Sequence, residues 1–304
     1  DNDLDIYVSN YRLEQNYLWI NDGAAGFNEA AEFYNVAGLD DGWSYGYGHT
    51  IGSAWGDLDG DGHFDLFVGN FSHAEYYQDR PMFLRNGGPE NGYVFENRSA
   101  TVGMTWQESF ASPALGDYDN DGDLDLFFTT VYSGDYPVLY RNDGNWQFTD
   151  VTTEEGLGWI DATYQAAWAD VDHDGDLDLL TGGRLFVNNG NSNHWLKLRL
   201  VGNALTDNTS AIGAQVRIDL GNTVVTRQVE GGTGEGNQND LTLHFGLGDW
   251  SDPVDVEVVW PSGKTDVYTD VDIDQLHWIT QCIDVDGDGH DDVGCGGEDC
   301  DDAD

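Results

Sequence analysis

Carboxylates at alternate positions, a glycine at the sixth and an apolar run directly behind define the stretch Asp117-Tyr-Asp-Asn-Asp-Gly-Asp-Leu-Asp125, which leads into Leu126, Phe127 and Phe128. It reads as a metal loop feeding a strand. The side chains of Asp117, Asp119, Asp121 and Asp125 converge only if the backbone turns sharply, which Gly122 permits, and the Asp123 carbonyl adds a further oxygen. A shell made wholly of oxygens in this number suits Ca²⁺ better than Mg²⁺, which requires a strict octahedron and keeps its waters. At about 4 Å and an effective dielectric near 20, each like-charged pair repels by roughly 4 kcal/mol. Such a loop is expected to splay without a cation.

One copy alone would also read as an acidic, solvated turn. The copies remove that reading. Asp57-Leu-Asp-Gly-Asp-Gly-His-Phe-Asp65 and Asp170-Val-Asp-His-Asp-Gly-Asp-Leu-Asp178 repeat the spacing, and Asp1-Asn-Asp-Leu-Asp5 matches its second half. The final aspartates fall at 5, 65, 125 and 178, at intervals of 60, 60 and 53, which describes an array of long repeats. Expected ligands are Asp1, Asp3 and Asp5; Asp57, Asp59, Asp61, His63 and Asp65; Asp117, Asp119, Asp121, Asp123 and Asp125; and Asp170, Asp172, Asp174, Asp176 and Asp178.

The 304 residues, 39% hydrophobic and 13% aromatic, are ample for packed cores. A net charge of −46 comes from 57 acidic against 11 basic residues, and 44 of the acids are Asp, which favours loops over helices. That charge excludes nucleic acid and anionic membrane surfaces as partners, since both need basic patches. It is compatible with divalent cations, and a surface adapted to high salt, suggested by Lys197 and Lys264 being the only lysines, is a lesser reading that does not exclude them. No apolar stretch reaches the roughly 18 residues of a membrane span. Residue 1 falls inside a loop and residue 304 ends an acidic cluster, so the chain is expected to be cut from a longer one that carried any signal peptide ahead of it.

Between loops, Leu18-Trp-Ile-Asn-Asp-Gly23, Met82-Phe-Leu-Arg-Asn-Gly87, Val138-Leu-Tyr-Arg-Asn-Asp-Gly144 and Arg184-Leu-Phe-Val-Asn-Asn-Gly190 are β-prone runs ending in turn residues. The second repeat holds four predicted strands, Ile51 to Gly56, Phe64 to Gly69, Met82 to Asn86 and Tyr93 to Asn97. Four antiparallel strands per repeat make a propeller blade, and stacked blades hide their apolar faces. Trp43, Trp106 and Trp159 recur ahead of each new blade; sugar stacking and packing between blades both fit, and recurrence at equivalent positions favours packing. Tyr45, Tyr47 and His49 have no counterparts elsewhere and mark a place for something specific.

The Asp-x-Asp-x-Asp-Gly-x-x-Asp loops resemble the FG-GAP or VCBS repeats of integrin-α-like propellers. From Asn193-His-Trp-Leu-Lys-Leu-Arg-Leu-Val-Gly202 onward a different pattern begins, and with Ile212-Gly-Ala-Gln-Val-Arg217, Leu243-His-Phe-Gly-Leu-Gly248 and Val258-Val-Trp-Pro-Ser-Gly263 it resembles the UnbV/ASPIC domain. The pairing is similar to the family of cartilage acidic protein and its bacterial relatives, over roughly residues 1–281. The resemblance implies an all-β chain: blades of a ring of about seven, then a transthyretin-like β-sandwich. The expected division is 1–192 propeller blades, 193–281 sandwich and 282–304 an Asp/Cys-rich metal-binding tail.

Read from residues alone, 193–281 is still β-rich, with about six alternating strands and a tight hairpin at Gly221-Asn222. Gly231-Gly-Thr-Gly-Glu-Gly236 lacks the strand, helix and lysine of a phosphate cradle and reads as a flexible connection. The tail repeats the loop spacing with Asp284, Asp286, Asp288, His290 and Asp292. Cys282, Cys295 and Cys300 cluster there, which suggests a disulfide staple more than a zinc site, with one cysteine left over.

No nucleophile elbow, H-E-x-x-H or phosphate loop is present. The expectation is a non-catalytic, secreted or surface-displayed calcium-binding scaffold or adhesion module, whose partner is an extracellular protein, a glycan or another copy. A polysaccharide lyase on a calcium propeller and a subunit of a surface filament are the alternatives. With only 11 Lys and Arg, and Arg85, Arg141 and Arg184 recurring just after strand cores, the scaffold is the better reading.

Overall fold

A computed structural model describes residues 4–39, 46–75, 78–221 and 223–282. The tail candidates Asp284, Asp286, Asp288, His290 and Asp292, with Cys295 and Cys300, lie outside the described residues, as do Asp1, Asp3, Trp43 and Tyr45.

Four small antiparallel sheets come first. Strands β1 (Ile6–Val8), β2 (Tyr17–Asn21) and β3 (Phe27–Glu29) form one; β4 (His49–Gly56), β5 (Asp65–Phe71), β6 (Met82–Asn86) and β7 (Phe95–Asn97) form the second. The third holds β8 (Phe110–Gly116), β9 (Asp125–Thr130), β10 (Val138–Asn142) and β11 (Phe148–Asp150), and the fourth β12 (Ala166–Ala169), β13 (Asp178–Thr181) and β14 (Arg184–Phe186). In each sheet, sequence neighbours are spatial neighbours, as in blades of a propeller.

The apolar runs explain this stacking. β5 and β9 are buried along their whole length, and alternate residues serve opposite faces. Leu66 and Val68 join Leu18, Leu84 and Phe95 in a core shared with the first sheet. Phe67 points the other way, its ring 4.7 Å from Phe83 and 4.9 Å from Phe128 of the third sheet. Phe127 repeats the step toward Trp168 and Leu179 of the fourth. Strands covered on both faces need apolar residues at both parities, which is why these runs do not alternate.

The C-terminal unit comprises β15 (His194–Val201), β16 (Gln215–Asp219), β17 (Val224–Gln228), β18 (Leu243–Gly248), β19 (Val254–Val259), β20 (Thr265–Val271) and β21 (Leu276–Thr280). Its two sheets, ordered β18-β15-β21 and β17-β16-β19-β20, enclose a core of Leu198, Val216, Ile218, Phe245, Val256, Val258 and the fully buried Trp260. The seventh strand corrects the expected six. β21 reads Leu-His-Trp-Ile-Thr with only Ile279 buried, and it pairs in parallel with β15, so neither alternation nor a hairpin announces it.

Candidate metal centres

Each acidic loop is closed by the same set of hydrogen bonds. The first aspartate accepts the glycine N–H at position six: Gly62 to Asp57 at 3.0 Å, Gly122 to Asp117 at 3.1 Å, Gly175 to Asp170 at 3.0 Å. Those glycines have φ of 87°, 101° and 98°, and position four is left-handed as well, in Gly60, Asn120 and His173. Asparagine and histidine tolerate that region better than most residues. The ninth aspartate ties the loop to the sheet. Asp65, Asp125 and Asp178 each accept a loop N–H from Leu58, Tyr118 or Val171 through Oδ2, and the N–H of Asn86, Asn142 or Asn188 through Oδ1. Asp5 and Asn21 show the same relation at 2.8 Å in the first sheet.

Asn86 and Asn142 end the third strand of their sheets and Asn188 follows the third strand of its own by two residues, where the sequence showed only turn residues. Asn86, Asn142 and Asn188 accept a glycine N–H two residues on, and their Nδ2 groups reach the carbonyls of Phe64, Leu124 and Leu177. Asn142 and Asn188 also donate to the preceding loop, at Leu58 O (3.0 Å) and Tyr118 O (2.8 Å). One side chain thus fastens a loop, a turn and the neighbouring repeat. The recurring Ile-Asn, Arg-Asn and Val-Asn ends were the signal.

Within the loops, ligand-type oxygens lie within 4.8 Å of one another in three groups: Asp57, Asp59 and Asp61; Asp117, Asp119 and Asp125; Asp170, Asp172 and Asp178. Asp65, Asp121, Asp123, Asp174 and Asp176 stand outside these groups, several of them shaping the turn: Asp121 accepts Asp123 N–H, Asp174 accepts Asp176 N–H, and Asp176 takes the Asn120 amide at 2.8 Å. The His63 ring packs on Tyr93 at 6.0 Å, apart from the aspartate group, and His63 contributes a backbone N–H to Asp61.

One buried carboxylate oxygen per loop has no hydrogen-bond partner among the described residues: Asp59 Oδ1, Asp119 Oδ1 and Asp170 Oδ1. Burial pushes Asp57 and Asp119 up to about 6, Asp117 to about 7 and Asp65 to about 8, with neighbouring carboxylates adding to the rise. Burial likewise lifts Asp123 and Asp176 to about 6 and Asp125 well above the ordinary range. An all-oxygen set with bare, inward lone pairs and unfavourable mutual charge fits a hard cation.

Each loop also receives a basic side chain. Arg85 of β6 donates to Asp59 at 2.5 Å and to Asp61 at 2.8 Å, while Trp146 Nε1 adds a bond to Asp59 at 3.1 Å. The other two cations come from the C-terminal unit. Arg227 reaches Asp117 at 3.3 Å and Gly122 O at 3.1 Å, and Lys197 Nζ pairs with Asp170. Backbone contacts accompany them: Gly246 N–H to Asp117 at 3.0 Å, Gly248 N–H to Asn120 O at 2.8 Å and His244 Nε2–H to Gly175 O at 2.9 Å.

The glycine-rich segment belongs to this contact and is not the flexible connection expected. Gly234 N–H donates to Ser53 O at 2.8 Å, Glu235 N–H to Ser112 Oγ at 2.7 Å, and Asn239 both donates to Leu115 O and accepts from Trp168 N–H. Gly234 has φ 57°, and a Cβ there would lie 2.2 Å from Ser112 Oγ, so glycine is needed for fit against the sheets. Trp106 and Trp159 each lie beneath a guanidinium, of Arg80 at 4.6 Å and Arg184 at 4.7 Å, and Trp106 also donates to Ser72 Oγ. His49 stacks near Tyr11 at 4.6 Å and His73 at 5.9 Å on the opposite ends of the strands from the loops.

Residues 117–181 match the FG-GAP-like repeat, and residues 204–283 match the ASPIC and UnbV family. The chain is therefore similar to FG-GAP-like repeats in one stretch and to the ASPIC and UnbV family in the next. It is similar to cartilage acidic protein 1 of Xenopus tropicalis, 28% identical over 284 residues, and to the proteins of that name from Homo sapiens (26% over 294) and Mus musculus (27% over 285). The matches cover 86% of this chain but 39 to 40% of those relatives. None of the described helices is long and apolar enough to cross a membrane.

Proposed function

We propose that the protein is a secreted or surface-displayed, non-catalytic scaffold or adhesion module whose repeats are held together by Ca²⁺ in the three aspartate loops. The carrying observation is the recurrence of one buried, unpartnered carboxylate oxygen in each loop, at Asp59, Asp119 and Asp170. Asp57, Asp61, Asp117, Asp125, Asp172 and Asp178 supply the remaining clustered oxygens. The ion neutralises carboxylates that otherwise repel, and so stabilises the loop that joins the first two strands of a sheet. The division into blades at 1–192, a transthyretin-like sandwich at 193–281 and a metal-binding tail belongs to this reading, as does closure of a seven-bladed ring with further repeats. An extracellular protein or glycan is the partner it implies, supported by the FG-GAP-like repeat.

A ligand that binds only the folded state at 100 times its Kd adds about 2.7 kcal/mol per site. Native mass spectrometry of the calcium-equilibrated chain is expected to count at least one ion per complete loop, and EGTA to lower the melting temperature. A chain that carries no calcium and melts unchanged in EGTA overturns the reading.

A further inference from the structure

The contact between the C-terminal unit and the sheets leaves a partly open cavity of about 100 Å³. Trp55, Leu115 and Trp168 of the sheets form apolar walls, and Glu230 and His244 line it from the C-terminal unit. Glu230 ends the stretch after β17, just before the glycine-rich segment. Protein surrounds it on nearly every side, yet it keeps some accessible surface and lines the cavity. Nothing but burial acts on its carboxyl group, which is pushed up to about 8; among the described residues no donor and no cation is directed at it.

The two basic residues on the same wall are committed elsewhere. Lys197 is paired with Asp170, and the Arg227 guanidinium is spread over Asp117 and the carbonyls of Gly122, Thr226 and His244. His244 has its Nε2–H on Gly175 O, because a carbonyl can only accept. Its Nδ1 therefore presents a lone pair, and this buried atom has no hydrogen-bond partner among the described residues. A carboxyl group with no donor or cation directed at it, in a cavity that Trp55 and Trp168 also line, describes a site short of positive charge.

We propose that this cavity binds a small monovalent cation, with Glu230 as its counter-charge and the two tryptophans as walls. The volume is below the roughly 150 Å³ of a cavity that holds benzene. It therefore admits potassium, ammonium or an alkylammonium no larger than ethanolammonium. Asp117, Asp170 and Asp240 line the cavity too, but they face Arg227, Lys197 and Arg199, so Glu230 is the lining carboxylate left without a counter-charge and matches a single positive charge. Such an ion sits between the two units and strengthens their contact.

The test uses the full chain saturated with calcium, titrated with potassium, rubidium, methylammonium or ethanolammonium chloride at ionic strength held constant by tetraethylammonium chloride, which is too large to enter. Tryptophan fluorescence and calorimetry report binding. Saturable binding that weakens at least tenfold in Glu230→Gln, and is retained in Glu235→Gln outside the cavity, is expected. Saturation by potassium and rubidium alone assigns an inorganic ion, and by the amines alone an organic one. If Glu230→Gln does not fold, anomalous scattering from rubidium, or density for the amine, beside Glu230 in wild-type crystals replaces it. No saturable binding by any of the four, equal binding by Glu230→Gln, or water alone beside Glu230 overturns the proposal.

Discussion

Lys197, on the first strand of the C-terminal unit, is paired with Asp170 at the head of the third acidic loop, and the two side chains are only 6% and 2% exposed. Removing one partner of a buried pair leaves an uncompensated charge, at a cost of about 3–5 kcal/mol. Lys197→Met is therefore expected to destabilise the metal-free chain by that amount in urea unfolding. Added calcium is expected to restore part of it, because the ion offsets the unpaired Asp170 charge.

Asn142 donates to carbonyls of two repeats and accepts a turn N–H, with its side chain buried. Asn142→Ala leaves Leu58 O and Leu124 O without those donors, and losing partners for buried polar groups costs about 1–3 kcal/mol each. The expected result is a melting temperature lower by several degrees. Asn21→Ala, at the exposed equivalent in the first sheet, is expected to change it by much less.

Calcium affinity should rise with pH between about 6 and 8. In the metal-free chain, Asp57, Asp117, Asp119 and Asp65 are raised to about 6, 7, 6 and 8 by burial first, so the folded state binds more protons than the unfolded one. Their protonated form favours folding at low pH, and that contribution is lost as pH rises through those values. A cation must displace these protons, so affinity tightens about tenfold per pH unit for each proton released. Terbium luminescence at pH 5.5 and 8 checks this; pH-independent binding contradicts it.

His244 titrates in the opposite sense. Burial first, then nearby Arg227 and Lys197, hold its folded value down to about 4, against the usual 6.5. Its contribution is present above 6.5 and is lost as pH falls toward 4, because the unfolded chain takes up the proton first. With calcium bound, acid is expected to loosen the C-terminal unit, and His244→Gln to flatten that dependence between pH 6.5 and 4. Hydrogen exchange of residues 243–248 reports it.

Gly234→Ala places a methyl against Ser112 and Pro113 at a left-handed backbone position. Strain of this kind costs about 1–3 kcal/mol. Faster hydrogen exchange of residues 231–240, with the strands of the C-terminal unit still protected, is the expected outcome.

Much of this architecture is written locally. Nine residues suffice for an aspartate loop, because Gly62, Gly122 and Gly175 allow the turn and the carboxylates follow from spacing alone. Apolar strands such as Leu66 to Val68 and Leu126 to Phe128 declare burial on both faces within a few residues. The copies at 57, 117 and 170 then announce the repeat. What the spacing could not separate was role: Asp65, Asp125 and Asp178 carry the ladder of backbone bonds, while Asp59, Asp119 and Asp170 keep a bare oxygen.

The all-β class, the repeat and the oxygens available to a cation are legible along the chain, since each depends on residues a few positions apart. That Lys197, Arg227 and the backbone of Gly246 close two of the loops, at separations of 27, 110 and 129 residues, emerges only in the folded chain. So do the parallel pairing of β21 and the seating of Gly234 on Ser53. Contacts over such distances depend on how finished sheets pack, and packing leaves no periodic trace along the chain.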